Sequence, residues 1–302
     1  MNTVLITGGS GLIGRKLAGI LAKDGFRVRL LSRRKQLIEP YHDVFTWNLK
    51  EGKLEPGALD GVDVVIHLAG EGIADGRWTE KRKSTILSSR VDGLNLIRRE
   101  AEKQNINLKL LLSGSATGWY GAITDDMLHT EEEPSAEDFL GKTCRLWEEA
   151  ADAYSSMAER VVKIRTGVVL SSKSGALPQL MLPFKFYTGV VLGSGKQQIP
   201  WIHEDDICGI FIHALKHDNM KGPFNAAATE NCSNRMFTET LGRVLNRPVL
   251  PIPAPSFAIR LAFGEMSAVV LEGCRVSNAK IKNAGYVFKY NDLKTALVNL
   301  LT

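Results

Sequence analysis

Apolar residues in this 302-residue chain fall into short unbroken runs that alternate with longer stretches of helical spacing. Residues 3–7 form the first run. Ile13, Leu17, Ala18, Leu21 and Ala22 then share one face of a helix that Gly25 ends. Runs at 27–32, 44–48, 62–70 and 108–112 predict four more strands, the one at 62–70 being the strongest. Before the last of these, Val91, Leu94, Ile97 and Ala101 give a helix its buried stripe, and the basic residues from Arg77 to Arg90 give it a largely solvated face. Cys144, Trp147, Ala151, Tyr154 and Ala158 recur at three- and four-residue steps as the buried face of a further helix, and 161–165 with 167–170 supply a sixth strand and its exit. Strands apolar throughout are buried on both faces, and strands alternating with helices imply a parallel sheet with right-handed crossovers. The expected fold is therefore α/β, a doubly wound parallel sheet.

Beyond residue 170 the pattern loosens. Gly, Pro and aromatic residues cluster from Gly175 to Trp201, as in a substrate-covering region rather than a regular βαβ unit. Trp201 to Asp206 opens a helix that buries Ile207, Ile210, Phe211 and Leu215, and 224–227 reads as a late strand. Helical patterns follow at 234–245 and 256–274, joined by proline-punctuated links. Residues 1–170, with a return near 203–228, are the expected nucleotide-binding core. Residues 171–202 and 229–302 are the expected smaller, partly helical C-terminal substrate domain.

The first strand breaks into Thr7-Gly8-Gly9-Ser10-Gly11-Leu12-Ile13-Gly14, and a helix starts at once. These glycines fit both G-x-G-x-x-G and G-x-x-G-x-x-G. Either spacing lets the backbone turn sharply and approach a pyrophosphate with free amide N–H groups at a helix N-terminus. About twenty residues on, where NAD-binding units carry an acidic residue for the ribose hydroxyl, this chain has Arg33 and Arg34. A guanidinium there offers paired donors to a 2′-phosphate, so NADP(H) is the expected cofactor, with the Ser32 hydroxyl beside it. The fourth strand ends at Ala69-Gly70, small enough for a cofactor to pass close by. His67, inside that apolar run, reads as a satisfied core histidine.

A net charge of +5 suits an anionic ligand but is too diffuse for nucleic acid. No run of eighteen apolar residues points to a membrane, and no leader pattern precedes the first strand. The four cysteines form no C-x-x-C pair, which suits reduced thiols in the cytoplasm. His213 and His217 lie one helical turn apart without a third ligand nearby, so no metal site is expected. The acidic loop Glu131-Glu132-Glu133-Pro134 is expected to face solvent.

Taken together, the glycine turn, Leu68-Ala69-Gly70, Ser113 to Gly121, Trp201 to Asp206 and Gly222 to Asn225 resemble the extended and atypical short-chain dehydrogenase/reductases, or NAD-dependent epimerase/dehydratases. Further elements are similar to a subgroup described as nucleoside-diphosphate-sugar epimerases, some under the label of SulA-type cell-division inhibitors. These are Ala69-Gly70-Glu71 with Arg77-Trp78, Ser89-Arg90, Ser115 to Gly118, Trp147-Glu148, Gly193-Ser194-Gly195, Phe237 to Gly242 and Phe263 to Met266. The resemblance implies a Rossmann core and NADP. It gives Ser32 and Arg33 the 2′-phosphate, and Leu68, Ala69 and Arg90 further cofactor contacts. The expected cofactor-binding set is thus Thr7, Gly8, Gly9, Ser10, Gly11, Leu12, Ile13, Gly14, Ser32, Arg33, Leu68, Ala69, Gly70, Arg90 and Ser113. The resemblance also implies that His203 and Asp206 support a domain junction, and it offers a homodimer paired through helices as one assembly.

Short-chain dehydrogenases move their proton with a Tyr-x-x-x-Lys pair and an upstream serine. Ser115 looks like that serine. The tyrosine position falls near Phe139-Leu140-Gly141 and the lysine position near Thr143, so neither group is present, and Lys142 is one residue off, turned about 100° away on a helix. Tyr120 is the nearest phenol. The leading expectation is an NADP(H)-dependent oxidoreductase acting on a small carbonyl or alcohol, with Ser115 polarising the substrate oxygen and Tyr120 or water supplying the proton. Nucleotide-sugar epimerase or dehydratase chemistry is one alternative. A non-catalytic NADPH-binding regulatory protein is the other.

Overall fold

The computed structural model describes residues 2–36, 39–228 and 231–302. Its main sheet contains β1 (Thr3–Thr7), β2 (Arg27–Ser32), β3 (Asp43–Asn48), β4 (Lys53–Leu54), β5 (Val64–His67) and β6 (Leu108–Ala116). Two later strands, β8 (Ala158–Thr166) and β11 (Gly222–Ala226), complete it. Between and around them lie the short strands β7 (Leu128–His129), β9 (Val168–Leu170), β10 (Trp201–His203) and β12 (Arg275–Val276). The helices are α1 (Leu12–Lys23), α2 (Glu80–Lys103), α3 (Phe139–Asp152), α4 (Ala176–Lys185) and α5 (Glu204–Lys216), then α6 (Asn234–Leu245), α7 (Ser256–Phe263), α8 (Ala268–Leu271), α9 (Ala279–Asn283) and α10 (Leu293–Leu301).

The strand order across the main sheet is β11-β8-β6-β5-β1-β2-β3-β4, parallel throughout except that β4 runs antiparallel to β3. The chain leaves β1 for β2 and β3 on one side, then crosses back to β5 and β6 on the other. The crevice at the carboxyl ends of β1 and β5 is therefore the topological switch point, where ligands bind in open α/β sheets. The expected doubly wound Rossmann sheet is the one observed.

Alternate residues of the central strands feed two separate cores. Val4, Ile6, Leu110 and Leu112 join α1, α4 and α5 on one face, while Leu5, Val65 and Leu111 join α2 and α3 on the other. Two covered faces explain why these strands read as continuous apolar runs.

Several elements end differently from expectation. Strand β5 stops at His67: the Leu68 N–H is shared between the Thr7 carbonyl and Thr7 Oγ1 at 3.2 Å each, and the Ala69 N–H turns to Thr7 Oγ1 at 3.2 Å. Helix α3 stops at Asp152. Tyr154 lies just beyond it, buried with its hydroxyl on the carbonyl of Leu94 at 2.6 Å, and Ala158 already belongs to β8. The helical spacing continued past the helix because the turn packs into the same core. Trp201–His203 is a strand, with α5 starting at Glu204 under a cap from His203 Nδ1. Residues 171–202 do contain a crossover: α4 carries the chain from β9 to β10, its parallel neighbour. The helix expected over 256–274 breaks at Gly264, whose φ of +62° ends α7, and continues as a 3₁₀ turn and α8.

Asp206, fully buried in the first turn of α5, holds the C-terminal segment. Its carboxylate accepts from Tyr286 Oη at 2.9 Å, the Lys289 amide at 2.8 Å and the Tyr290 amide at 2.9 Å. His203 stacks on Tyr290 at 3.9 Å. Among the described residues, no helix is long and apolar enough to cross a membrane.

Candidate cofactor site

Each glycine of the turn has its own reason to lack a side chain. Gly8 has φ +66°, and a Cβ there would lie 2.5 Å from the Leu68 carbonyl at the end of β5. A Cβ on Gly9 would meet Tyr41 Oη at 2.1 Å, and one on Gly14 would meet the Gly9 Cα at 2.6 Å. Gly11 caps α1 without a side-chain acceptor, which leaves the helix's first amides to a ligand. Tyr41, absent from the expected set, fastens this turn from below: its buried hydroxyl donates to the carbonyls of Gly9 at 2.8 Å and Gly14 at 3.1 Å. Nothing local marks Tyr41 in the sequence, since it reaches the turn only through the fold. The bare backbone, cradled between β1 and β5, fits a dinucleotide pyrophosphate.

Not every member of the expected set faces that crevice. Ser10, Gly11, Arg33 and Gly70 are exposed, and Leu12, Ile13, Ser32, Leu68 and Ala69 are half-buried. Thr7 and Ser113 are fully buried and act from beneath. Thr7 Oγ1 donates to His67 Nδ1 at 2.9 Å and accepts from the amides of Leu68 and Ala69, while Ser113 Oγ donates to the Gly114 carbonyl at 2.9 Å. Both side chains thus spend their hydrogen bonds bracing the ends of β1, β5 and β6. His67 completes the support, its Nε2–H donating to the Arg90 carbonyl at 3.0 Å. Burial lowers its pKa to about 4, so the ring is neutral near pH 7.

At the end of β2, Arg33 carries a side chain 81 % exposed, its Nη1 3.5 Å from Glu71 Oε1. Ser32 Oγ accepts from the Arg34 amide at 3.3 Å. On α2, Arg90 turns inward, toward Gly70 and away from the largely solvated basic face. Its Nη1 donates to the Ile86 carbonyl at 2.8 Å, its guanidinium lies 5.2 Å over the Trp147 ring, and a Cβ on Gly70 would sit 3.2 Å from its Cζ. Lys83 is also drawn in, paired with Glu265 at 2.5 Å.

The two candidate catalytic hydroxyls belong to one buried network. Ser115 Oγ donates to Glu148 Oε1 at 2.7 Å, and Arg165 holds the same carboxylate with Nε at 2.8 Å and Nη2 at 3.1 Å. Arg165 stacks on Trp119 at 3.8 Å and donates from Nη1 to Tyr120 Oη at 3.2 Å and the Glu131 carbonyl at 3.3 Å. Tyr120 in turn donates to Asn225 Oδ1 at 2.8 Å, and burial pushes its phenol up to about 12. Both hydroxyl protons therefore point into the protein. Ser115 can accept a hydrogen bond, but polarising a substrate oxygen would require breaking its bond to a buried carboxylate. The expected donor role of Ser115 does not fit this geometry.

Glu131, expected in solvent, is buried, and its Oε1 accepts from the Asn225 amide at 2.8 Å. The loop curls inward because that amide and Arg165 both need acceptors. Arg165 inside an apolar strand and Glu148 on the apolar face of α3 are opposite charges at core positions, and that was the available signal for this network.

On α3, the face turned to Gly118 carries Leu140 and Cys144, with distances of 3.4 Å and 3.6 Å to the position of a Gly118 Cβ. No phenol or ammonium stands there. Burial pushes the Cys144 thiol up to about 12, and Lys142 lies outward, 3.9 Å from Glu137. His213 and His217 stack on each other at 3.8 Å, and their ring nitrogens bond the Ala284 and His213 carbonyls at 2.9 Å each.

The chain is similar to known proteins along nearly its whole length. The NAD dependent epimerase/dehydratase family matches residues 4–227, and a domain of unknown function (DUF1731) matches 254–300. The epimerase family protein YfhF of Bacillus subtilis is 37 % identical over 298 residues, covering 99 % of this chain and 97 % of that protein. The crystal structure of the human epimerase family protein SDR39U1 (isoform 2) with NADPH superposes with a TM-score of 0.86 at 31 % identity, covering 99 % of this chain and 98 % of the other. A nucleoside-diphosphate sugar epimerase from Corynebacterium glutamicum gives a TM-score of 0.77 at 32 % identity, covering 99 % of this chain and 58 % of that one. On the sheet order, the glycine turn and these matches, the chain belongs to the NAD dependent epimerase/dehydratase family.

Proposed function

We propose that the protein binds NADP(H) in the crevice between β1 and β5 and works as an oxidoreductase on a small carbonyl or alcohol. The observation that carries the cofactor reading is the exposed Arg33 guanidinium, with arginines rather than an acidic residue closing β2 beside the glycine turn. The human relative with NADPH supports it. Amides of the turn would take the pyrophosphate, Arg33 and Ser32 the 2′-phosphate, and Leu68, Ala69 and Gly70 the flat passage past β5. The bound nicotinamide would supply or accept the hydride. Within the protein, Glu148 and Asn225 keep the Ser115 and Tyr120 protons, so water is the proton source this site favours. Nucleotide-sugar epimerase chemistry is disfavoured separately, because the α3 face toward Gly118 carries Leu140 and Cys144 rather than a phenol or ammonium. Four free, buried cysteines suit a reducing compartment such as the cytoplasm.

Fluorescence titration tests the cofactor. NADPH should bind at least about tenfold tighter than NADH, and Arg33→Asp should erase that preference. Equal affinities in the parent protein, or a preference that survives Arg33→Asp, would sink the reading.

A second reading, an NADP(H)-binding protein without turnover, is favoured by the inward donation of both hydroxyls. Deuteride transfer from labelled NADPH across a carbonyl panel separates the two. Label appearing in product supports the oxidoreductase, and tight NADPH binding with no transfer supports the regulatory protein.

A further inference from the structure

The loop after β5 places a carboxylate beside the cation assigned to the 2′-phosphate. Glu71 follows Gly70, and its amide donates to Ser89 Oγ at 2.9 Å, which ties the loop to α2. Its Oε1 lies 3.5 Å from Arg33 Nη1, and its Oε2 lies 3.5 Å from Arg82 Nη1. Arg82 is itself fixed, donating from Nη2 to the Gly72 carbonyl at 2.7 Å. The Arg33–Glu71 pair thus spans from the end of β2 to the end of β5, with β1 and its glycine turn between them. The Glu71 side chain is one-third exposed, so its charge is only partly screened.

We infer that Glu71 is a specificity-determining residue that competes with the cofactor's 2′-phosphate for Arg33 and thereby limits the preference for NADP(H) over NAD(H). This rests on the NADP(H) reading above. A 2′-phosphate carries nearly two negative charges at neutral pH, and a carboxylate sharing its guanidinium repels it, whereas a ribose hydroxyl meets no such repulsion. Glu71 therefore acts on one cofactor and barely on the other. Arg82 moderates the effect by holding the second carboxylate oxygen away from Arg33.

The test is titration of Glu71→Gln and Glu71→Ala with NADPH and NADH at low ionic strength, with circular dichroism melts to verify folding. Both variants should bind NADPH about fivefold tighter and NADH within about twofold of the parent, and the NADPH gain should shrink at high salt. An unchanged or weakened NADPH affinity, or an equal gain for both cofactors, would overturn the inference. The foundation fails differently: equal affinities for the two cofactors in the parent protein, or a preference that survives Arg33→Asp, would remove the NADP(H) reading itself, whatever Glu71 does.

Discussion

His67 shows how a single buried group sets the geometry of the crevice. Its neutral ring donates to the Arg90 carbonyl and accepts from Thr7, whose hydroxyl oxygen holds the amides of Leu68 and Ala69. Protonation would put a second donor against the Thr7 proton and break the chain at its centre. The folded pKa, about 4, lies below the ordinary 6.5, so between those values the unfolded chain binds more protons than the folded one. The stabilisation is complete above pH 6.5 and disappears as pH falls toward 4, amounting to about 3 kcal/mol. Burial lowers His203 in the same direction, so the slope must be assigned by variant. Urea unfolding at pH 7.5 and 5.0 should show a clear loss for the parent and a smaller one for His67→Gln. Equal losses would remove His67 as the cause. At this scale the sequence was partly legible: an isolated histidine in an apolar run identified itself as core, while the Thr7 and Arg90 partners stayed hidden.

At the scale of elements, α3 and β8 are joined through charge rather than through grease alone. Glu148 on α3 and Arg165 on β8 are both about 2 % exposed and share two hydrogen bonds. Glu148→Gln keeps the shape but leaves a buried guanidinium uncompensated, at a cost of about 3–5 kcal/mol. Denaturant titration should register that loss together with loosened packing of Trp119 on Arg165. A cost below about 1 kcal/mol, typical of exposed pairs, would show that water reaches the network. The element pattern announced α3 by its apolar face, and Asp138 caps it by accepting from the Gly141 amide at 2.8 Å. Spacing could not locate the helix end, because Tyr154 and Ala158 pack into the same core from a turn and a strand.

For the whole molecule, the decisive joint is Asp206. Tyr286, Lys289 and Tyr290 all donate to it, so the last segment of the chain is held at the N-terminus of α5. Asp206→Asn removes one acceptor oxygen and leaves a buried amide N–H unpaired, costing about 1–3 kcal/mol. Hydrogen exchange should speed up at Lys289 and Tyr290 before it does in β1 or β6. If stability fell while those two amides kept their protection, the joint would lie elsewhere. The strand order was within reach of the sequence, since strand–helix alternation with right-handed crossovers permits few arrangements. The crossover through α4 was not, because glycine, proline and aromatic residues obscured a ten-residue helix.

The sequence by itself determined the alternation of strands and helices, the glycine turn that follows β1 and the basic end of β2. Each of these is a local matter of side-chain period, Cβ room or charge, legible over a few consecutive residues. Only the tertiary structure decided which groups are free to act. Ser115 meets Glu148 from 33 positions away, and Tyr120 meets Asn225 from 105. A hydroxyl's chemistry depends on where its one proton goes, and in this protein that acceptor is supplied by a distant part of the chain.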